Sequence, residues 1–178
     1  MIFALWERPD GIELEAGPHV AYDIESNQAW FGAARVAGPA LVWELGGDPT
    51  GAALAVEVEL DPQAEWVVRC DRIDFPPGGA AYRHVHPGPG VRRLLFGELT
   101  IDGAAGVAVY GPGMAWFEAA NDPVLATASP TEDTAFVRVL LLPREWQGRR
   151  TIRYLDPADE AKPKLQQASV LLEEPLVP

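Results

Sequence analysis

Cysteine is nearly missing from this 178-residue chain, Cys70 being the only one. A lone thiol excludes an intramolecular disulfide and any cysteine-rich metal centre, and it fits a reducing compartment. Basic residues are scarce as well: 14 Lys and Arg face 26 Asp and Glu, a formal charge of -12. Such a surface is repelled by phosphate backbones and anionic bilayers, which argues against nucleic-acid and membrane partners. No apolar run approaches the ~18 residues of a membrane-spanning helix. The amino-terminal MIFALWERPDG lacks a basic region before its apolar stretch, so no signal peptide is expected and the cytoplasm is the expected location. Serine is rare too: Ser26, Ser129 and Ser169 all lie outside any G-x-S-x-G, and no phosphate-binding or dinucleotide-binding glycine motif follows a predicted strand.

What the chain does have is 48% apolar content, with 17 Gly and 17 Pro spread along its whole length. That is enough to bury one core, and the recurring turn residues predict many short strands in an all-β fold. A single domain over 1–178 is expected. Within it, strands at 2–7, 19–24, 29–36, 41–45 and 53–60 flank a tighter core over about 66–142. Eight strands are predicted there: 66–75, 80–86, 91–96, 99–101, 107–110, 114–118, 124–128 and 136–142. Eight strands with short turns suit a jelly roll or small barrel. Helix is confined to single turns at 143–146 and 157–162, where a proline opens each piece. The end of the 157–178 arm, from 166 onward, reads as an extended segment that packs on its own barrel or on a partner.

Two of only three histidines form the pair His84-x-His86, directly before Pro87-Gly88-Pro89-Gly90. On a regular strand Tyr82, His84 and His86 share a face at ~6.6 Å spacing, and two imidazoles so placed can converge on one divalent ion. The ordinary alternative is a pair of polar residues at a strand end. Tyr82 would then be placed for hydrogen bonding or proton transfer, or simply sit at a barrel rim. Arg92 has the strand parity of Gly90, so its guanidinium is expected to point inward and grip an anionic substrate, or else to pair with surface carboxylates. The six tryptophans, Trp116 among them, are expected to be core filling rather than a ligand pocket.

The segment from about Trp66 to Leu142 resembles the cupin superfamily. The family's first motif, G-x5-H-x-H-x3,4-E-x6-G, is matched by Gly78, His84, His86 and Gly97, and Gly113 opens the second motif, G-x5-P-x-G-x2-H-x3-N. The family's glutamate falls at Gly90, and the second motif's proline, glycine, histidine and asparagine fall at Ala119, Asn121, Val124 and Ala128. The resemblance implies an RmlC-like jelly-roll β-barrel with added N-terminal strands and short C-terminal helical turns. It also implies a divalent metal (Fe, Mn, Zn or Ni), a small-molecule substrate in the barrel, and a homodimer formed through outer sheets. With two usual ligands missing, Glu118 is the expected third ligand, closing a 2-His-1-carboxylate set of the kind used by iron dioxygenases. His19, Glu98, Asp74 and Glu44 are weaker choices. Gly90, having no side chain, is expected to leave room beside the metal. The functional expectation is a metal-dependent enzyme acting on a small organic molecule, with oxygenase chemistry the first candidate. The alternatives are a non-redox isomerase, cyclase or lyase, and a non-catalytic binding barrel with a vestigial metal site.

Overall fold

The computed structural model describes residues 1–176, and every described residue outside single-turn pieces and loops lies in a strand. The core barrel is built from β8 (Trp66–Phe75), β9 (Ala80–Val85), β10 (Gly90–Phe96), β11 (Leu99–Gly103), β12 (Gly106–Tyr110), β13 (Ala115–Glu118), β14 (Val124–Ala128) and β15 (Thr134–Pro143). These match the eight strands predicted for it. Two further strands join them, β16 (Arg153–Tyr154) and β17 (Gln167–Leu176). One five-stranded antiparallel sheet runs β13-β10-β15-β8-β17 and the facing one runs β12-β11-β14-β9-β16. The motif glycines serve the turns between strands: Gly78, Gly97 and Gly113 all have positive φ. A Cβ at Gly97 would come 2.4 Å from the carbonyl oxygen of Asp133, so a side chain is excluded there by space as well as by conformation.

Ahead of the barrel stand β1 (Ile2–Arg8), β2 (Ile12–Leu14), β3 (His19–Asp23), β4 (Gln28–Phe31), β5 (Ala34–Val36), β6 (Ala40–Leu45) and β7 (Leu54–Glu57). The strand expected over 29–36 is split into β4 and β5, because Gly32 turns the backbone at φ +80 between them. A third antiparallel sheet, β4-β3-β6-β1-β7, covers the outer face of β10, β15 and β8. Phe3, Leu5, Tyr22, Leu41 and Trp43 from this sheet pack against Val68, Cys70, Val91, Val137, Val139 and Leu141 from the barrel. The Trp43 indole donates across the layer to the carbonyl of Val91 at 3.2 Å, satisfying a polar group inside an apolar core.

The barrel wall therefore has two buried faces, and strand alternation sorts its residues between them. On β8, Val68 and Cys70 face the N-terminal sheet, while Arg69, Asp71, Ile73 and Phe75 face the barrel interior or its cavity. A second apolar cluster fills one end of the interior, including Phe75, Leu94, Leu99, Trp116, Val124 and Phe136. The described part of the C-terminal arm packs on its own barrel as β17, paired with β8 from Gln167 to Leu176 with one register shift between Val170 and Leu172; positions 177–178 of the expected extended segment lie outside the described residues. The expected helical turns are present as 3-10 pieces, Arg144–Trp146 and Pro157–Ala161.

Candidate functional site

Along the inward faces of β8 and β15 the side chains change from apolar to charged. Phe136 lies opposite Ile73, but the next inward pair is Arg138 opposite Asp71. Across the sheet that pair continues to Arg92 on β10 and Trp116 on β13, forming one row: Trp116, Arg92, Arg138, Asp71. Two guanidiniums thus stand directly opposite each other on neighbouring strands, an arrangement that costs free energy unless counter-charges flank it. Asp71 flanks one side, fully buried, accepting from Arg69 Nε at 2.7 Å and from Arg138 Nη2 and Nε at 2.9 and 3.1 Å. Glu118 flanks the other, with Oε2 2.6 Å from Arg92 Nη2 and Oε1 accepting from the Trp116 indole at 2.9 Å.

The charged end opens into a cavity of about 580 Å³ between the two barrel sheets, closed over by the 148–152 loop, Tyr154 and residues of the C-terminal arm. Its apolar wall includes Ile73, Phe75, Ile101, Val124, Ala126 and Phe136. His84 and His86 enter from β9 and just beyond it, and both are almost completely buried. His84 Nδ1 is 2.6 Å from the carbonyl of Tyr82, and His86 Nδ1 is 3.2 Å from that of Thr151. A carbonyl only accepts, so both Nδ1 atoms carry the proton and both Nε2 atoms present a lone pair. The two Nε2 atoms face each other at 3.2 Å. Burial is the main cause holding His84 neutral, with its pKa lowered to about 4, and Arg138 and Arg92 push the same way. His86 is lowered well below the usual imidazole value, again by burial first and then by Arg138. Arg92 is lowered to about 10 by burial, against the pull of Glu118, and stays cationic at neutral pH.

The structure places the expected site residues unequally. His84, His86, Arg92 and Glu118 all line the cavity, whereas Tyr82 does not. The shared face expected for Tyr82 fails because of a bulge in β9: Val124 pairs with His84 but Ala126 pairs with Ala81, so Leu125 faces two residues, Tyr82 and Arg83. Ala81 and His84 then both line the cavity, and the Tyr82 ring lies beside Tyr154 with the Lys162 ammonium 4.7 Å from its centroid. The inward direction of Arg92 holds, since β10 keeps its register from Gly90 to Leu94.

The metal expectation meets a mixed donor set. A divalent ion at ~2.0–2.1 Å from each imidazole would hold two nitrogens about 3.0–3.4 Å apart, and the Nε2 pair has that spacing. The remaining donors do not complete a site. Arg138 Nη1 donates to His86 Nε2 at 3.0 Å, which places a cation on one of the two lone pairs. Glu118 is engaged by Arg92 and Trp116, and among the described residues no three His, Cys, Asp or Glu side chains come together as a metal-binding group. In this structure Glu118, the expected third ligand, is the counter-ion of Arg92. Gly90 opens no room either: a Cβ there would lie 2.5 Å from Leu140 Cδ2, 2.9 Å from the Val139 carbonyl oxygen and 3.0 Å from Arg92 Nη1. The space beside the histidines is filled by leucine and guanidinium, and a glutamate at position 90 does not fit. His19, Glu98, Asp74 and Glu44 do not line the cavity.

Sequence reasoning missed Arg69, Asp71 and Arg138, which form the buried charged row. A signal was available. Arg69 and Asp71 stand at alternate positions of β8, sharing the inward parity of Ile73 and Phe75, and Arg138 is the single charge in Ala135–Pro143.

No protein-family model matches the chain. No curated protein matches it either. Among solved structures, the polyketide cyclase RemF from Streptomyces resistomycificus is similar over 54% of this chain and 64% of that one, at 19% identity and a TM-score of 0.41. An RmlC-like cupin from Shewanella frigidimarina is similar over 51% of this chain and 94% of that one, at 17% identity and a TM-score of 0.40. A recombinant oxalate oxidase in complex with glycolate is similar over 54% and 52%, at 18% identity and a TM-score of 0.43. The chain thus spans less than two thirds of the length of the cyclase and of the oxidase. Two facing antiparallel sheets, with the motif glycines at their turns and the His-x-His strand at the cavity, give this chain the all-β jelly-roll fold that the sequence resemblance implies.

Proposed function

We propose that the protein is a small-molecule cupin that holds an organic ligand in the barrel cavity and uses His84 to accept and return a proton. One observation carries this reading: the hydrogen bond from His84 Nδ1 to the Tyr82 carbonyl fixes the tautomer in which Nε2 keeps its lone pair at the cavity wall, 3.2 Å from His86 Nε2. A base oriented in this way, beside an apolar wall that excludes water, is suited to isomerisation, cyclisation or elimination, in which a C–H or O–H proton moves to Nε2 and is later returned. The test is a thermal-shift screen of metabolite-sized acids, alcohols, amines and apolar compounds, followed by proton NMR of the hits in D2O. Binding with exchange of a ligand C–H for deuterium in wild type, lost in His84→Ala, is expected. A screen without hits, or exchange that survives His84→Ala, overturns the proposal.

A second reading keeps a divalent ion between His84 and His86, and the 3.2 Å Nε2 separation favours it. It requires Arg138 to give up its bond to His86. Stoichiometric Fe, Mn, Zn or Ni in protein prepared without a tag, absent from the His84→Ala/His86→Ala variant, would decide for it. Metal below one tenth of an equivalent would decide against it.

A further inference from the structure

We infer that the cavity is a metal-independent site for a monocarboxylate with an apolar body, its carboxylate received by Arg92 at the charged end. The inference rests on the small-molecule reading above and names the ligand class. In a chain with 26 acidic and 14 basic residues, six of the basic ones (Arg69, Arg92, Arg138, Arg149, Arg150 and Lys164) line this one cavity, against only Glu118 and Glu173 of the acidic ones. A protein of net charge -12 has gathered nearly half of its cations around one opening, which draws anions in against the repulsion of the remaining surface.

Three features of the charged end make it a receiving site rather than a closed salt-bridge network. Arg92 and Arg138 face each other on adjacent strands, so positive charge is concentrated where the row meets the cavity. Arg92 is 1% exposed; its Nη1 donates to the Gly90 carbonyl at 2.6 Å, and its Nη2 lies 2.6 Å from Glu118 Oε2 as an ion pair without hydrogen-bond geometry. A ligand carboxylate that accepts from Nη2 in line with its N–H supplies the hydrogen bond that the Glu118 ion pair does not. The other guanidinium, Arg138, is held in place by Asp71 through two nitrogens and still reaches His86 Nε2, where a metal would otherwise stand. With Arg92 Nη1 held by the Gly90 carbonyl, the ligand carboxylate is received through Nη2, and the apolar wall of Ile73, Phe75, Phe136 and Val124 takes the ligand's body. At the rim, Lys164 donates to three backbone carbonyls and to no carboxylate, leaving its charge available to an entering anion.

The experiment uses the full chain after dialysis against EDTA. Calorimetry is run with straight-chain and phenyl-substituted monocarboxylates of about four to ten carbons, a size range suited to a cavity of this class, and with the matching primary amides and amines. Carboxylates are expected to bind at least tenfold more tightly than their amides, with amines not binding and added Zn(II) or Mn(II) changing nothing. Arg92→Met should weaken carboxylate binding by about 10- to 100-fold. Because that variant strands Glu118, Arg92→Met/Glu118→Gln is the companion that keeps the fold, and it should lose the same affinity. Lys164→Gln should weaken binding two- to fivefold at low salt and not at high salt. If amides or amines bind as well as acids, or if binding appears only with added metal, this inference is overturned while the small-molecule reading stands. If none of the three series binds and the wider screen is also empty, both are overturned.

Discussion

Replacing Asp71 with asparagine removes one negative charge from the most buried ionic group in the molecule. The carboxylate is 0% exposed and is shared between two guanidiniums, Arg69 and Arg138, each itself 6% exposed. The substituted amide would accept from one of them through its oxygen but would turn its nitrogen toward the other. Arg69 keeps the Arg149 carbonyl at 2.8 Å and Glu173 at 3.5 Å, so it retains partners. Arg138 keeps only His86 and Thr151, with the like charge of Arg92 directly opposite. Breaking a buried ion pair in this way costs about 3–5 kcal/mol, a large share of the ~5–15 kcal/mol that holds a typical domain folded. In urea, with a slope of about 2 kcal/mol/M, the unfolding midpoint should fall by roughly 1.5–2.5 M while the slope is unchanged. Asp71→Asn/Arg138→Met removes the stranded cation and should recover at least half of the loss. A midpoint for Asp71→Asn within about 0.5 M of wild type would refute the idea that this row is held together by Asp71. A double variant no more stable than Asp71→Asn would refute the assignment of the cost to Arg138.

Two further perturbations follow from the same geometry. His84 is held neutral down to about pH 4, whereas an unfolded histidine protonates near 6.5, so the unfolded chain binds more protons over that interval. Stability is then lost as pH falls from about 6.5 to 4, by about 3 kcal/mol for this residue alone, and metal-free His84→Gln should show a flatter urea midpoint against pH; superimposable slopes would refute the shift. Gly90→Ala places a Cβ 2.5 Å from Leu140 Cδ2 and 2.9 Å from the Val139 carbonyl oxygen, and overpacking of this kind costs about 1–3 kcal/mol. Gly90→Glu should be worse and should gain no metal; a variant of wild-type melting temperature that takes up an equivalent of Mn(II) would show that the space is there.

The barrel strands were legible because each is a short apolar stretch closed by Gly, Pro or Asp, and those turn residues do act where they stand, as at Gly78, Gly97 and Gly113. Arg92 was legible by parity, because β10 runs without a bulge through that position. Tyr82 was not: one extra residue in β9 reverses the parity of everything before it, and nothing in Ala80–His86 announces that insertion. The role of Glu118 was not legible either, since its partner Arg92 is 26 residues away and is found only once β10 and β13 are paired. Asp71 and Arg138 are separated by 67 residues and meet only through the β8–β15 register. Period-two charge occurs on both faces of β8, as Arg69/Asp71 and as Arg72/Asp74, and sequence spacing says neither which pair is buried nor which strand supplies the counter-charge.

The N-terminal sheet amounts to a ligand carried by its own receptor. Phe3, Leu5, Tyr22 and Trp43 fill a surface on the barrel, and only the segment 58–65 joins the two bodies of structure. A tether of that length raises the local concentration of one partner around the other to the millimolar range, so even a modest interface stays closed. A single cut in 58–65 converts this association from first order to second order. The melting temperature of the nicked protein would then depend on its concentration, which the intact chain's need not.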